Sequence, residues 1–388
     1  MRYTLSDNTW DEKEYEALNG VIASGFFSMG EKVKEFEIAF AKKFKVKYAI
    51  MSNSGSSANL LAIAALVYSK RLSKGDEVLV PAVSWSTTYF PLSQHQLKLK
   101  FIDVDKNTFN MDIAQIEAAI TARTKAIFAV NLLGNPNHFD ALTAICEKHN
   151  LILIEDNCES MGAVYKEKAL GTIGTLGTYS TFYSHHICTM EGGVTVTDDE
   201  ELYHYMLSIR SHGWTRHLPD NSSIYQKKED SFYESFNFIM PGYNLRPLEM
   251  EGALGIEQLK KLDGIIAQRR ANAAYFKAQM DGLEGYRTQT EVEQSSWFGF
   301  AILMEGKNSG RRAELIAQLN AKEIDVRPIV TGNFTRNKAI EYLDYEIHGN
   351  LKNADEIHDE GFFVGNHSKN NFDKVDVLIN TLKAFNGA

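Results

Sequence analysis

The chain has 388 residues, 44% of them hydrophobic, and a formal net charge of −9. That length buries a large core and predicts two domains, while the acidic balance, with no cluster of Lys and Arg forming a continuous basic face, excludes a nucleic-acid footprint. No run of about eighteen uncharged apolar residues occurs and the N-terminus has no apolar signal core, so the expectation is a cytoplasmic protein, without membrane association, whose partners are small molecules and another protein chain.

Cys146, Cys158 and Cys188 are odd in number and lack metal-ligand spacing, which favours buried or neutral thiols over a disulfide framework or a metal site. Short apolar runs alternate with helical patterns, the signature of an α/β fold with a mainly parallel sheet covered by helices. The first expected strand, 47–51, runs into Ser52-Asn53-Ser54-Gly55-Ser56-Ser57-Ala58-Asn59 and a helix over 57–68. A glycine there permits close backbone approach and hydroxyls precede the helix, which fits either a phosphate on the helix N-terminus or plain N-capping. After the strand at 77–81 comes Val83-Ser84-Trp85-Ser86-Thr87-Thr88, in which Trp85 lies flat on an aromatic cofactor or packs in the core.

Strands at 98–104 and 126–131 and helices at 112–121 and 137–149 lead to a strand at 151–155. Asp156 ends that strand, where ligands of open α/β sheets collect. A carboxylate there either pairs with a protonated pyridine nitrogen or caps a following helix. Strands at 178–183 and 193–197 are spaced for tighter connections than full helical crossovers. Between them lie Ser180, His185, His186 and Glu191-Gly192-Gly193. The polar stretch 218–231 predicts a mobile surface loop. Leu254, Ile256, Leu259 and Leu262 predict a long helix over 251–275, leading from a large domain, 1–254, into a smaller one within 255–388.

The Gly-Ser loop, the aromatic after a strand, the strand-end Asp156, Ser180 five residues before His185 and Glu191-Gly192-Gly193 six after it resemble the DegT/DnrJ/EryC1/StrS family of sugar aminotransferases. Gly30-Glu31-Lys32-Val33, Asn131-Leu132-Leu133-Gly134-Asn135-Pro136, Ser211-His212-Gly213 and Gly242-Tyr243-Asn244-Leu245-Arg246-Pro247 extend the resemblance over nearly the whole chain. It implies the aspartate-aminotransferase fold (fold type I), with a mainly parallel seven-stranded sheet and a smaller C-terminal α+β domain. The implied cofactor is pyridoxal 5'-phosphate. Family aminotransferases carry a lysine where this chain has His185. An imidazole moves protons but cannot form a stable Schiff base, so pyridoxal or pyridoxamine phosphate would be held non-covalently.

That exchange implies the 3-dehydratase branch of the family, which serves the synthesis of dideoxysugars such as colitose for lipopolysaccharide O-antigens. Ser296-Trp297-Phe298-Gly299, Arg327-Pro328-Ile329-Val330-Thr331-Gly332-Asn333-Phe334 and Phe363-Val364-Gly365-Asn366-His367 agree with it in the small domain. The resemblance implies Gly55, Ser56 and Ser180 on the phosphate, Asp156 on the pyridine nitrogen and Trp85 over the ring. Glu159 stands where aminotransferases have Gln or His, near the ring hydroxyl. Asn244 would reach a phosphate in the neighbouring subunit, which makes a homodimer with shared active sites. Arg216 and Arg327 are candidate ligands for a substrate pyrophosphate or a glutamate carboxylate, or plain solvated arginines. His185 would be the catalytic proton carrier, L-glutamate the amine donor, and the substrate a GDP-linked 4-keto-6-deoxy sugar that loses its C3 hydroxyl with release of ammonia.

Two other readings stay open, an ordinary nucleotide-sugar aminotransferase and a non-catalytic cofactor-binding regulatory protein. A related dehydratase with an iron–sulfur centre is excluded, because three scattered cysteines cannot supply the usual four thiolates.

Overall fold

The computed structural model describes residues 2–387, so Met1 and Ala388, the outer ends of the two expected domains, lie outside the described residues. The strands in chain order are β1 (Tyr48–Ser52), β2 (Glu77–Pro81), β3 (Lys98–Ile102), β4 (Thr124–Val130), β5 (Ile152–Asp156), β6 (Val164–Tyr165), β7 (Lys168–Ala169), β8 (Leu176–Ser180), β9 (Gly193–Thr197), β10 (Tyr286–Thr288), β11 (Gly299–Met304), β12 (Val326–Arg327), β13 (Tyr345–Ile347) and β14 (Gly361–Gly365). The large sheet has the order β1-β9-β8-β5-β4-β2-β3-β13. Within it β9 alone runs antiparallel to its neighbours. Its central strands are apolar over most of their length, as in 78–80 of β2 and 126–130 of β4, because helices cover both faces. Val78 and Val80 pack with Leu61, Tyr89 and Leu92 on one side, and Leu79 with Ile116, Phe139 and Leu142 on the other. Burying each such side chain stabilises by roughly 1.5–3 kcal/mol.

The seven strands expected for this sheet are present, and an eighth, β13, corrects the count. It gave no apolar signal because it is short and its central Glu346 pairs with Lys98 Nζ at 2.8 Å and Lys100 Nζ at 3.2 Å. The expected helices occur as Gly55–Tyr68, Ile113–Ala119, Phe139–His149 and Glu249–Met280. Residues 218–230 contain no helix or strand and are mostly exposed.

A second sheet, β10-β11-β14-β12, is antiparallel and builds its own core. Phe300, Ile302 and Phe362 meet Leu315, Leu319, Leu378 and Leu382 there. The helix Glu249–Met280 links the two cores, placing Leu259, Leu262 and Ile266 against Phe36 and Phe40 and placing Phe276 and Met280 in the second core. The expected division at 254/255 falls inside this helix. Two segments cross it: β13 joins the large sheet, and Tyr3 sits in the second core, its hydroxyl donating to Gly365 O at 2.6 Å. No helix among the described residues is long and apolar enough to cross a membrane.

Candidate active site

The carboxyl-terminal ends of β1, β2, β4, β5 and β8 open on one edge of the large sheet. There a cavity of about 360 Å³ is lined by Gly55, Ser56, Trp85, Asp156, Glu159, Ser180 and His185 together with Ser84, Cys158, Phe182, Glu191 and Phe298. Its volume falls within the roughly 300–1,000 Å³ of small-molecule sites.

At the end of β1, Ser54 caps the helix Gly55–Tyr68, its Oγ accepting from Ser57 N at 3.1 Å. The first-turn amides and the positive end of the helix dipole face the cavity, an arrangement suited to an anion. Gly55 is required for close approach: a Cβ there would stand 2.7 Å from Ser180 Cβ and 2.9 Å from Cys158 Sγ. Ser56 Oγ donates to Thr87 Oγ1 at 3.0 Å, tying the helix start to the segment that carries Trp85. Trp85 remains 57% exposed, so packing in the core is not its role.

Asp156 is 5% exposed and held by three donors. Asn59 Nδ2 at 2.9 Å and Thr88 Oγ1 at 2.8 Å both reach its Oδ2, and Cys158 N reaches its Oδ1 at 3.1 Å. Thr178 Oγ1 in turn donates to Asn59 Oδ1 at 2.6 Å, which turns the amide nitrogen toward the carboxylate. These three supporting side chains were not assigned from sequence, although Asn59 leaves a signal as a lone amide in an otherwise apolar helix. Beside Asp156, Glu159 Oε2 accepts from Leu133 N at 3.0 Å. Burial first and the Asp156 charge second push the Glu159 carboxyl up to about 7. The same two causes raise the Cys158 thiol, which removes it as a nucleophile.

His185 lies in the connection from β8 to β9. That connection is laced by Thr181 N to Gly192 O at 2.9 Å and Tyr183 N to Met190 O at 3.0 Å. β8 therefore ends at Ser180, and 181–183, expected as strand, belong to this loop. The imidazole packs 5.1 Å from the Phe298 ring and 5.9 Å from that of Phe182. Its Nδ1 is buried without a hydrogen-bond partner, which leaves Nε2 as the nitrogen turned to the cavity. Burial and, secondarily, the Arg269 charge lower its pKa to about 3, so the ring is neutral at physiological pH.

Asn244, Arg216 and Arg327 do not line this cavity. Asn244 is exposed and its Oδ1 accepts from Arg246 Nε at 3.0 Å. Arg216 stacks on Trp214 at 4.5 Å and Phe236 at 5.2 Å, and Arg327 is exposed on β12. Phe298, part of the 296–299 motif and given no role from the sequence, also lines the cavity.

A strand-end carboxylate and a helix start, side by side on the carboxyl edge of an open sheet, suit a coenzyme B6 enzyme of the aspartate-aminotransferase fold, and similarity to known proteins shows that class. Within that class the chain belongs to the DegT/DnrJ/EryC1/StrS aminotransferase family, whose sequence profile matches residues 8–383. It is 53% identical over 387 residues to a GDP-4-keto-6-deoxy-D-mannose 3-dehydratase from Escherichia coli O55:H7 (strain CB9615 / EPEC), covering 99% of this chain and 100% of that protein. A crystal structure of GDP-4-keto-6-deoxymannose-3-dehydratase with a trapped PLP-glutamate geminal diamine is similar with a TM-score of 0.96 at 52% identity, covering 98% of this chain and 100% of that one. A histidine-to-asparagine variant of such a dehydratase with bound GDP-perosamine gives the same score, identity and coverage.

Proposed function

We propose that this protein is a coenzyme B6-dependent 3-dehydratase that converts GDP-4-keto-6-deoxy-D-mannose to GDP-4-keto-3,6-dideoxy-D-mannose. L-Glutamate donates the amine and two electrons. The overall balance is sugar plus glutamate giving deoxygenated sugar, 2-oxoglutarate and ammonia. What supports this reading is His185, which by its spacing to Ser180 and Glu191 stands where the family's aminotransferases would carry a lysine, in a cavity that no lysine among the described residues lines.

When bound, pyridoxal or pyridoxamine phosphate supplies an electron sink conjugated to the amine it exchanges with substrates. The residues around the cavity fit that group. The amides and hydroxyls of Gly55, Ser56 and Ser180 would hold its phosphate at the helix start. Asp156, held in place by three donors, would hold the proton on its pyridine nitrogen. Trp85 is free to lie over its ring. Glu159, with its carboxyl at about 7, is protonated in a large fraction at neutral pH and can donate to the ring hydroxyl, as the Gln or His of aminotransferases would.

His185 moves the protons. Its Nε2, neutral and facing the cavity, takes a proton from the carbon next to the amine. Once protonated, the ring has an orphaned Nδ1–H in a buried setting, which makes it a strong acid toward the departing C3 hydroxyl. A single group thus serves as base and then as acid. A second copy of the chain would complete the site with Asn244. Exposed Phe26, Phe27, Phe236, Phe238 and Leu248 support such a partner.

The test is product analysis with purified protein, glutamate and GDP-4-keto-6-deoxy-D-mannose. One ammonia should appear per dideoxy sugar formed. A stable 4-amino sugar without ammonia would show an aminotransferase instead.

A further inference from the structure

The cavity lining comes from the first half of the chain with one exception, Phe298, whose ring lies 5.1 Å from that of His185 and 5.8 Å from that of His186. Its backbone is pinned on both sides. Phe298 N donates to Leu133 O at 3.0 Å, and Phe298 O accepts from Arg269 Nη1 at 3.0 Å. The same guanidinium nitrogen reaches Trp297 O at 3.5 Å, and Asn366 Nδ2 donates to that carbonyl at 2.8 Å. Trp297 holds φ +49, a left-handed conformation that a bulky residue keeps only where its surroundings over-determine it.

Arg269, on the helix Glu249–Met280, is 1% exposed. Its side chain bonds these backbone carbonyls and no carboxylate among the described residues, and its Nε has no partner. Asp7 acts on this guanidinium through space without bonding it, and a buried charge so weakly compensated is expensive, so packing alone is a poor reason for it.

We propose that Arg269 is a positioning residue for His185: its grip on the Trp297 and Phe298 carbonyls holds the Phe298 ring against the imidazole, and its charge acts on that same imidazole. The proposal rests on the reading of His185 as proton carrier. Its two parts have separate physical grounds. With Nδ1 unpartnered, the ring has no polar anchor, so the tilted contact with the Phe298 ring, at an interplanar angle of 59°, fixes the orientation that a carboxylate fixes in a Ser-His-Asp triad. The charge acts because a nearby cation disfavours protonation of an imidazole. Burial and then Arg269 lower His185, and the same two causes lower His186. The other charged or titratable groups that line the cavity with the ring or lie beside it are His186 on its own loop, Asp156, Cys158 and Glu159 at and just after the end of β5, Glu191 before β9, and Arg270 beside Arg269. Arg270 is turned away, bonding Ser295 O and Gly162 O.

The experiment is imidazole NMR of histidine-labelled, cofactor-free protein across pH, with His185→Asn assigning the signal, alongside steady-state kinetics. Arg269→Met keeps an unbranched apolar stem and removes the charge and the donors. It should move the His185 titration up toward the ordinary value of about 6.5 and lower kcat by roughly tenfold to a hundredfold, with KM for the nucleotide sugar little changed. Arg269→Lys should restore the low titration but not kcat, since the shorter lysine stem does not carry a donor to the point where Nη1 meets both carbonyls. Phe298→Leu should lower kcat while leaving the titration near wild type, and it decides the matter if Arg269→Met does not fold. An unmoved titration in Arg269→Met, or wild-type kcat in Phe298→Leu, overturns the proposal. The titration is read without cofactor or sugar, so its failure is distinct from failure of the dehydratase reading, which product analysis decides.

Discussion

His185 is surrounded on its inner side by rings rather than by hydrogen-bond partners, and that poverty of contacts sets its chemistry. Asparagine at this position keeps comparable bulk and removes the proton carrier while leaving the phosphate, pyridine and stacking contacts in place. His185→Asn should bind pyridoxamine phosphate as wild type does and deoxygenate at least roughly a hundredfold more slowly. Equilibrium cofactor binding and product formation, measured on the same preparation, check both halves. The lowered pKa also has a stability consequence. The unfolded ring binds a proton below about 6.5, whereas the folded ring refuses it until about 3. The His185 contribution is therefore present above about 6.5 and is lost progressively as pH falls toward about 3. Denaturation curves across that range should show a shallower loss of stability in His185→Asn than in wild type. Parallel losses would mean that the ring is not held neutral.

The helix Gly55–Tyr68 and the strand β5 serve the site as elements, because each ends where the cofactor's charged groups would lie. Gly55→Ala places a methyl 2.7 Å from Ser180 Cβ and 2.9 Å from Cys158 Sγ. The helix start must then shift, at a cost of about 1–3 kcal/mol in stability, and its amides move with it. Weaker cofactor binding together with a lower melting temperature is the expected outcome, read by fluorescence titration and calorimetry. Thr88→Val tests the other element. It is close in shape but removes a 2.8 Å donor to the buried Asp156 carboxylate, worth about 1.5–3 kcal/mol. Cofactor affinity should fall while the sheet stays intact, and unchanged affinity would show that Asn59 and Cys158 N suffice.

For the whole molecule, the proposed dimer makes a sharper test than a mass measurement. If Asn244 completes the neighbouring site, Asn244→Asp places a negative charge beside a phosphate and should inactivate every site in its own homodimer. Mixed with His185→Asn under conditions that exchange subunits, it should regain activity that neither parent has, because hybrid dimers contain one site with both native residues. No recovery after verified exchange would place Asn244 in its own chain's site or outside catalysis. We also propose that the large and small units act as halves joined through the helix Glu249–Met280, with the N-terminal segment and β13 exchanged between them.

Much of the site was legible because its residues sit at ends of apolar runs: Asp156 closes β5, Ser54 and Gly55 follow β1, and Ser180 closes β8. A strand buried on both faces is apolar over most of its length, so the polar residues cluster toward its end, as Glu155 and Asp156 do in β5. His185 was readable for a different reason, since the surrounding spacing identified the position that it fills. Only the tertiary structure decided how Phe298 and Arg269 come to stand behind that histidine, how Asn59, Thr88 and Thr178 clamp Asp156, and where β13 attaches. Each of these contacts joins segments far apart in the chain. Single amides, hydroxyls and aromatics carry no periodic signal of their own, and their partners are set by the strand order of the folded sheet.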